Sequence, residues 1–263
     1  MAIEKARGVI IRLSDYSETS QVVTFLTDAF GKVSAIAKGA KRAKSSTGGA
    51  LDMLTLNEIV FSESPSGGLA TLREARALEQ FPGLRAATER YYAGLYFAEL
   101  AGIFGEGTEG TSEHFDLLVA SLAALSAAAV NVGNITAYFE SHLLTASGLA
   151  PNLTRCARCG AGLQRNAAAR LSLADGGLLC PKCPGGTAIG KGSLATLRRL
   201  FSSSVQGVSR LRMPKAIQSD VSGLLSAFIV YNARRVPRLS KYVKPALEAQ
   251  WRKWAGPTEV QST

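Results

Sequence analysis

The four cysteines of this 263-residue chain form two close pairs. Cys156-Ala-Arg-Cys159 is followed, after twenty further residues, by Cys180-Pro-Lys-Cys183. Each Cys-x-x-Cys turn presents two thiolates, and two such turns supply the four soft ligands that tetrahedral Zn²⁺ prefers. The spacing therefore predicts one zinc ion bound by Cys156, Cys159, Cys180 and Cys183.

Four thiolates would fill the coordination sphere, so we expect a structural zinc site and not a catalytic one. Disulfides are the alternative use of four cysteines, and a cytoplasmic location disfavours them. A deaminase-type zinc site would also need a His-x-Glu motif. The two histidines, His114 and His142, are followed by Phe-Asp and Leu-Leu, so that motif is missing.

One further stretch resembles a catalytic motif. Gly185, Gly190 and Lys191 match a phosphate-binding P-loop, but Gly192 stands where Ser or Thr should bind Mg²⁺. We interpret the stretch as a linker into a helix capped by Ser193, with a nucleotide-dependent enzyme as the alternative. His114 is expected on a partly exposed surface and His142 between helices. Without an acid–base constellation, we expect neither an enzyme nor a nucleotide cofactor.

A purely basic loop is the second chemical feature. The stretch AKGAKRAKSSTGG, residues 37–49, contains four cations and no acid. The strand-like stretch before it places alternate residues on one face. On a small barrel, such cations would follow nucleic-acid phosphates without reading bases; a solvated surface loop is the alternative. The candidate DNA-binding cations here are Lys32, Lys38, Lys41, Arg42 and Lys44.

Charge is distributed unevenly along the chain. The net charge of +10 divides into +1 for residues 1–80, −5 for 81–150 and +14 for 151–263. This polarity indicates an anionic partner, with nucleic acid ahead of a membrane surface or an acidic protein. No apolar run reaches the length of a membrane span, and the first residues lack the zones of a secretory signal. We therefore expect a cytoplasmic protein without membrane contact.

Periodicity divides the chain into elements. Residues 1–80 contain five short segments rich in Val, Ile, Phe and Thr, which predict a small closed barrel. Helical periodicity follows from Gly83, stops around the cysteines and then resumes. The predicted fold is α+β and multidomain. The predicted domains are a barrel at 1–80, a first helical part at 81–151, a zinc finger at 152–190, a second helical part at 191–250 and a tail at 251–263.

Aromatic residues of the barrel could stack on bases. Phe25 and Phe61 fit strand patterns and are expected in the core. Tyr16 and Phe30 lie at turn edges and are the better candidates for stacking.

Several segments resemble the bacterial RecO family of recombination mediators. They are RGVIIRLSDYSETSQVVTFLTDAFGKVSAIAKGAKRAKSS, YYAGLYFAELAGIF, ESHLLTASGLAPNLTRCARCG and LLCPKC, in the family's order. The resemblance implies an N-terminal OB-fold, then an all-helical domain with an inserted four-cysteine zinc finger. It also implies binding of single- and double-stranded DNA and ATP-independent annealing of complementary strands, without covalent catalysis.

The resemblance further implies partners and a location. These are RecR and the C-terminal tail of the single-strand binding protein SSB, so that RecA can load onto coated DNA in the RecF pathway, at the bacterial nucleoid. By similarity, the OB-fold cations fall on Lys32 and Lys38, and a basic helix beyond the finger corresponds to Arg198 and Arg199. A zinc-ribbon module that binds RNA or acts in transcription remains the alternative.

Overall fold

The computed structural model describes residues 2–42, 51–64, 68–105, 112–163, 169–209, 211–244 and 254. The chain forms two compact units, Met1–Val130 and Asn131–Thr263. Within the described residues, no helix combines the length and the apolar character needed to cross a membrane.

A closed five-stranded barrel begins the first unit, as predicted. Its strand order is β1-β2-β3-β5-β4, and β1 is long enough to pair with both β2 and β4 and so close the ring. The order and strand number are those of an OB-like barrel. The strands are β1 (Ile3–Asp15), β2 (Gln21–Thr27), β3 (Lys32–Ala37), β4 (Leu56–Ser62) and β5 (Ala70–Glu79).

Alternate residues of each strand fill the barrel interior, because successive side chains point to opposite faces. Ala35 and Ala37 of β3 are buried, whereas Ser34 and Ile36 beside them are partly exposed. Phe25 and Phe61 are fully buried, which confirms their prediction as core residues. Phe30 packs edge-on against Phe61, with ring centroids 5.4 Å apart, so its ring contributes to the core.

The shortest pairing of the barrel lies between β3 and β5. These two strands are parallel and pair only at Ala35 with Ala70 and at Ile36 with Thr71. The ends of β3 therefore extend beyond the pairing with β5. The turn that joins β4 and β5 lies partly outside the described residues, although the antiparallel pairing of the two strands is present.

Two helices pack beside the barrel in the first unit, α1 (Thr88–Phe104) and α2 (Glu113–Ser126). They follow a single 3-10 turn, Pro82–Leu84, whose Gly83 lies so close to Ser126 that no Cβ fits between them. Helix α2 contacts β1 and β2. His114, in its first turn, is consequently only 4% exposed, so the prediction of a partly exposed histidine is wrong.

The second unit is mainly helical. Asn131 caps α3 by accepting a hydrogen bond from the backbone N–H of Asn134 at 3.0 Å. Asn134 itself is buried, and its amide donates to the carbonyls of Val208 and Leu211. The helices are α3 (Val132–Ala146), α4 (Lys191–Ser202), α5 (Val205–Ser209), α6 (Lys215–Ala233) and α7 (Ser240–Val243). After Lys244, the one further residue that the structure describes is Trp254.

A buried ion pair joins distant parts of this second unit. The Lys244 ammonium donates to both carboxylate oxygens of Glu140 on α3, at 2.7 and 2.6 Å. It also donates to Ser226 Oγ on α6 at 2.9 Å. The side chains of Glu140 and Lys244 are 0% and 7% exposed, so both charges are removed from water and satisfied by each other. The pair fixes the segment after α7 against α3 and α6.

Candidate metal centre and nucleic-acid interface

The four predicted cysteines converge on one point. Their sulfurs all lie within 4.8 Å of one another. The Sγ atoms of Cys156 and Cys183 are 3.8 Å apart, and those of Cys159 and Cys180 are 3.7 Å apart. A tetrahedron with Zn–S bonds of about 2.3 Å has sulfurs about 3.8 Å apart. The observed separations therefore fit one tetrahedral zinc ion, and all four cysteines are free thiols.

The backbone of both turns stabilises thiolates. N–H groups of Cys159 and Cys180 point at the Cys156 sulfur and lower the pKa of its thiol to about 6. Burial opposes ionisation of Cys180, but N–H groups of Cys183 and Lys182 outweigh it, and the pKa of Cys180 lies below its usual value. Burial and the three neighbouring thiols raise the pKa of Cys183 to about 12. A cation at the centre would displace the proton held there.

A small antiparallel sheet carries the second cysteine turn, a feature that the sequence patterns did not predict. Its strands are β6 (Ala169–Ser172), β7 (Gly177–Leu179) and β8 (Thr187–Ile189), in the order β7-β6-β8. Strand β7 ends directly before Cys180. The predicted helical domain with an inserted zinc finger is confirmed, and the finger contains β structure.

Two arginines connect the parts of the finger. Arg158, inside the first Cys-x-x-Cys, donates to both oxygens of Asp175 at 2.9 Å and to the carbonyl of Pro184 at 2.9 Å. The hydrogen bond from Arg158 and that from Ser172 lower the pKa of Asp175. Arg170 on β6 donates to the carbonyls of Cys180 and Cys183 in the second turn. These bonds hold both cysteine turns in the geometry that one metal requires.

The stretch that resembles a P-loop in sequence does not form a phosphate-binding loop. Thr187–Ile189 form β8 and pair with β6, so the stretch between Gly186 and Gly190 is a strand. Gly190 occupies the N-cap position of α4, and Ser193, the predicted cap, is buried within the first turn. His142 Nδ1 donates to the Tyr138 carbonyl of its own helix, α3, at 3.1 Å, and the ring also hydrogen-bonds the backbone of Ser203 at the end of α4, as expected for a histidine satisfied between helices.

A cleft of about 490 Å³ opens at the end of β3. One wall is the turn between β1 and β2, and the other is the stretch that follows β3. Lys38 and Arg42 line the cleft and are exposed, and neither forms an ion pair with a described residue. The lining residues are Tyr16, Thr19, Ser20, Ile36, Lys38, Gly39 and Arg42.

The remaining cations of the barrel are placed differently. Lys41 forms an ion pair with Asp15, at 2.7 Å, and its backbone N–H donates to the Thr19 carbonyl. Lys32 is partly buried and donates to the Gly102 carbonyl near the end of α1, at 3.5 Å. Lys44 lies outside the described residues. The structure thus brings Lys38 and Arg42 together at one cleft, and directs Lys32 towards α1.

The two arginines of α4 also differ from each other. Arg198 is partly buried, and its guanidinium donates twice to the Leu153 carbonyl, at 3.0 and 2.8 Å. Arg199 is exposed. Arg198 therefore attaches α4 to the start of the zinc finger, while Arg199 presents its charge to solvent.

Comparison with known proteins assigns the whole fold to one family. The family model described as "Recombination protein O N terminal" matches residues 1–81, and "Recombination protein O C terminal" matches residues 85–241. The chain is 35% identical to the DNA repair protein RecO of Anaeromyxobacter dehalogenans (strain 2CP-C), over 88% of this chain and 92% of the relative.

RecO proteins of two other organisms match this chain with similar identity and coverage. Identity is 33% to the DNA repair protein RecO of Salinibacter ruber, over 88% of each chain. It is 29% to that of Rhodopirellula baltica, over 92% of this chain and 99% of the relative. Two family models match most of the chain between them, and the relatives match over nearly their full length, so the chain belongs to the RecO family of DNA repair proteins.

Proposed function

We propose that this chain is a recombination mediator of DNA repair in the RecF pathway. It binds single- and double-stranded DNA and anneals complementary strands without ATP. With RecR, it helps RecA to load onto single-stranded DNA coated by SSB. It catalyses no covalent reaction and acts in the cytoplasm, at the nucleoid.

The observation that carries this proposal is the cleft beside β3 with Lys38 and Arg42 in a barrel of the RecO family. OB-fold barrels bind oligonucleotides on the middle strands and adjoining loops, which is where this cleft lies. Cations that contact only phosphates bind every sequence with similar affinity, as annealing of arbitrary complementary strands requires. They also make the affinity fall steeply with salt.

The zinc ion is proposed to stabilise the second unit and not to react. The four sulfurs leave no ligand position for water or substrate. The arginine bonds to Asp175 and to the cysteine turns support this assignment, because they position the backbone around the metal. One structural Zn²⁺ per chain is the expected content.

We assign the SSB contact to the stretch from Tyr231 to Tyr242. Tyr231, Val236 and Tyr242 are between 41 and 50% exposed. The four cations of the same stretch are exposed too: Arg234, Arg235, Arg238 and Lys241. An acidic peptide with an apolar end, the chemistry of the SSB tail, would be complementary to this combination.

Binding of labelled single-stranded DNA across a salt series tests the proposal, followed by addition of the complementary strand without ATP. The variant Lys38→Ala/Arg42→Ala should bind DNA at least about tenfold more weakly and with a shallower salt dependence, since each lost phosphate contact reduces the slope by about one. Lys41→Ala should have a smaller effect, because Asp15 already neutralises Lys41.

Matched controls use cations elsewhere on the barrel. Lys5 and Arg76 both form ion pairs with Glu58, and Lys5→Ala/Arg76→Ala removes the same charge away from the cleft. Equal losses in both double variants would contradict the cleft as the binding site. Tighter binding of RNA than of single-stranded DNA, without annealing, would favour the zinc-ribbon module instead.

A further inference from the structure

The charge around the cleft is small for a purely electrostatic site. Its two walls, residues 15–20 and 38–42, carry Lys38, Lys41 and Arg42 against Asp15 and Glu18. Three cations against two carboxylates leave a net charge of +1, and the Lys41–Asp15 ion pair uses one charge of each sign. A contribution beyond the charge of these described walls would therefore strengthen DNA binding at this position.

Tyr16 supplies the missing chemistry. It follows the end of β1, is 62% exposed, and lines the cleft together with Lys38 and Arg42. Ile36, which points outward from β3, adds an apolar side chain to the same cleft. An exposed ring beside an aliphatic side chain and two cations is the combination that nucleotides require: a stacking partner for the base and positive charge for the phosphate.

The walls of the cleft are fixed to each other, so the tyrosine is positioned before DNA arrives. The backbone N–H groups of Tyr16 and Ser17 both donate to the Ser20 carbonyl, which closes the turn between β1 and β2. Ser20 Oγ accepts from the N–H of Gly39 at 3.3 Å, and the Thr19 carbonyl accepts from Lys41. Because the backbone is held in this way, only the side-chain torsions of Tyr16 must be ordered when a base stacks on its ring.

The volume of the cleft suits a single nucleotide. About 490 Å³ falls within the ~300–1,000 Å³ range of small-molecule pockets. A base inside a duplex is paired and stacked on its neighbours, so it would have to be extracted at a cost of a few kcal/mol before it could enter. An unpaired base enters without that cost.

We propose that this cleft binds one unpaired nucleobase, stacked on the ring of Tyr16, with the adjacent phosphates on Lys38 and Arg42. This inference rests on the proposed DNA-binding function and adds to it a selection for single strands over duplexes. The barrel thereby recognises bases as aromatic surfaces without reading their sequence, since every base offers a flat face.

The test compares two labelled probes of equal charge: oligothymidylate of about 20 nucleotides, and the same backbone carrying abasic residues. At fixed salt, the wild-type chain should bind the thymidylate about tenfold more tightly than the abasic strand. Tyr16→Leu should reduce that ratio towards one while leaving the abasic affinity and the salt slope unchanged. Tyr16→Phe, which keeps the ring, should retain the wild-type ratio.

The outcomes separate the two proposals. A wild-type chain that binds both probes equally, or a Tyr16→Leu variant that keeps the wild-type ratio, overturns the stacking site and leaves DNA binding intact. Failure of the wild-type chain to bind either probe overturns the DNA-binding function and the stacking site together. Leu78→Ala, which truncates an exposed apolar side chain of β5 that does not line the cleft, should leave the ratio unchanged.

Discussion

Removal of the buried lysine should destabilise the second unit. Lys244→Met keeps the length of the side chain but removes the ammonium that bonds both oxygens of Glu140 and Ser226 Oγ. The Glu140 side chain is 0% exposed, so its carboxylate would remain buried without the ammonium of Lys244. Breaking a buried ion pair on one side costs about 3–5 kcal/mol.

Urea denaturation followed by tryptophan fluorescence measures this loss. Both tryptophans, Trp251 and Trp254, lie in the second unit, so their emission reports on that unit. A loss of roughly 4 kcal/mol, with a denaturant slope of roughly 2 kcal/mol/M, lowers the midpoint by about 2 M. Lys241→Met is the matched control: Lys241 is exposed on α7, and the midpoint should fall by less than about 0.5 M.

The double variant Glu140→Leu/Lys244→Met sharpens the test. If the cost comes from burying the Glu140 carboxylate without the Lys244 ammonium, removal of both charges should restore most of the stability, because apolar replacements of buried pairs are often neutral. A single variant Lys244→Met whose midpoint matches that of Lys241→Met would refute the reasoning. A double variant no more stable than the single variant would show that the loss arises from packing.

Two further predictions concern the metal and the histidines. Cys156→Ala should abolish binding of the one zinc ion per chain, measured by elemental analysis. It should also expose the β6–β8 amides to hydrogen exchange, because structural zinc contributes directly to folding. A metal-free wild-type chain with the melting temperature of the zinc-bound form would contradict this prediction. Burial lowers the pKa of both His114 and His142. As the pH falls, the histidines of the unfolded chain therefore take up protons at a higher pH than those of the folded chain. The free energy of unfolding should decrease as the pH drops below about 6.5. Urea midpoints between pH 7 and 5 should therefore decrease less for His114→Phe/His142→Gln than for the wild type, and parallel decreases would argue against the histidines as the cause.

Local patterns in the sequence were sufficient for the strands of the barrel, most helices and the cluster of four cysteines. The cysteine spacing indicated that Cys156, Cys159, Cys180 and Cys183 lie together, because each pair is set by one tight turn. The five strands are rich in Val, Ile, Phe and Thr, and their apolar residues fill the barrel. These features depend on neighbours in the chain, and the sequence displays them directly.

Features that depend on distant contacts were not predictable. Glu140 and Lys244 are separated by 104 residues, and each resembles an ordinary surface charge in its own segment. His114 lies in an acidic first turn typical of a surface, but α2 packs on β1 and β2. The contact of Arg170 with the second cysteine turn depends on strand β6, which the local pattern did not indicate. The Asp-Gly turn at Asp175 was the one local signal for the small sheet.

The residues of the candidate DNA site were also predictable only in part from the local sequence. The basic loop identified Lys38 and Arg42, but nothing in the local pattern distinguished them from Lys32 and Lys41. Their separation comes from partners outside the loop, Asp15 for Lys41 and the end of α1 for Lys32. Similarly, Tyr16 and Phe30 both lie at turn edges in the sequence. The ring of Phe30 packs against Phe61 whereas Tyr16 is exposed, and the local pattern does not show this difference.

The short pairing of β3 with β5 has a consequence for how the barrel assembles. Strands β1, β2 and β3 form a meander from neighbouring segments, and β4 with β5 forms a hairpin. Seven register pairs between β1 and β4 join these two halves, whereas only two pairs close the ring between β3 and β5. Loop-closure cost changes only slowly with loop length, so a closure with two pairs offsets less of that cost than one with seven. Closure at β3 is therefore expected to be the last step of folding and the first to reverse. The ring would then open along the strand that leads into the Tyr16 cleft, so that the weakest closure of the barrel and its proposed DNA site share one strand.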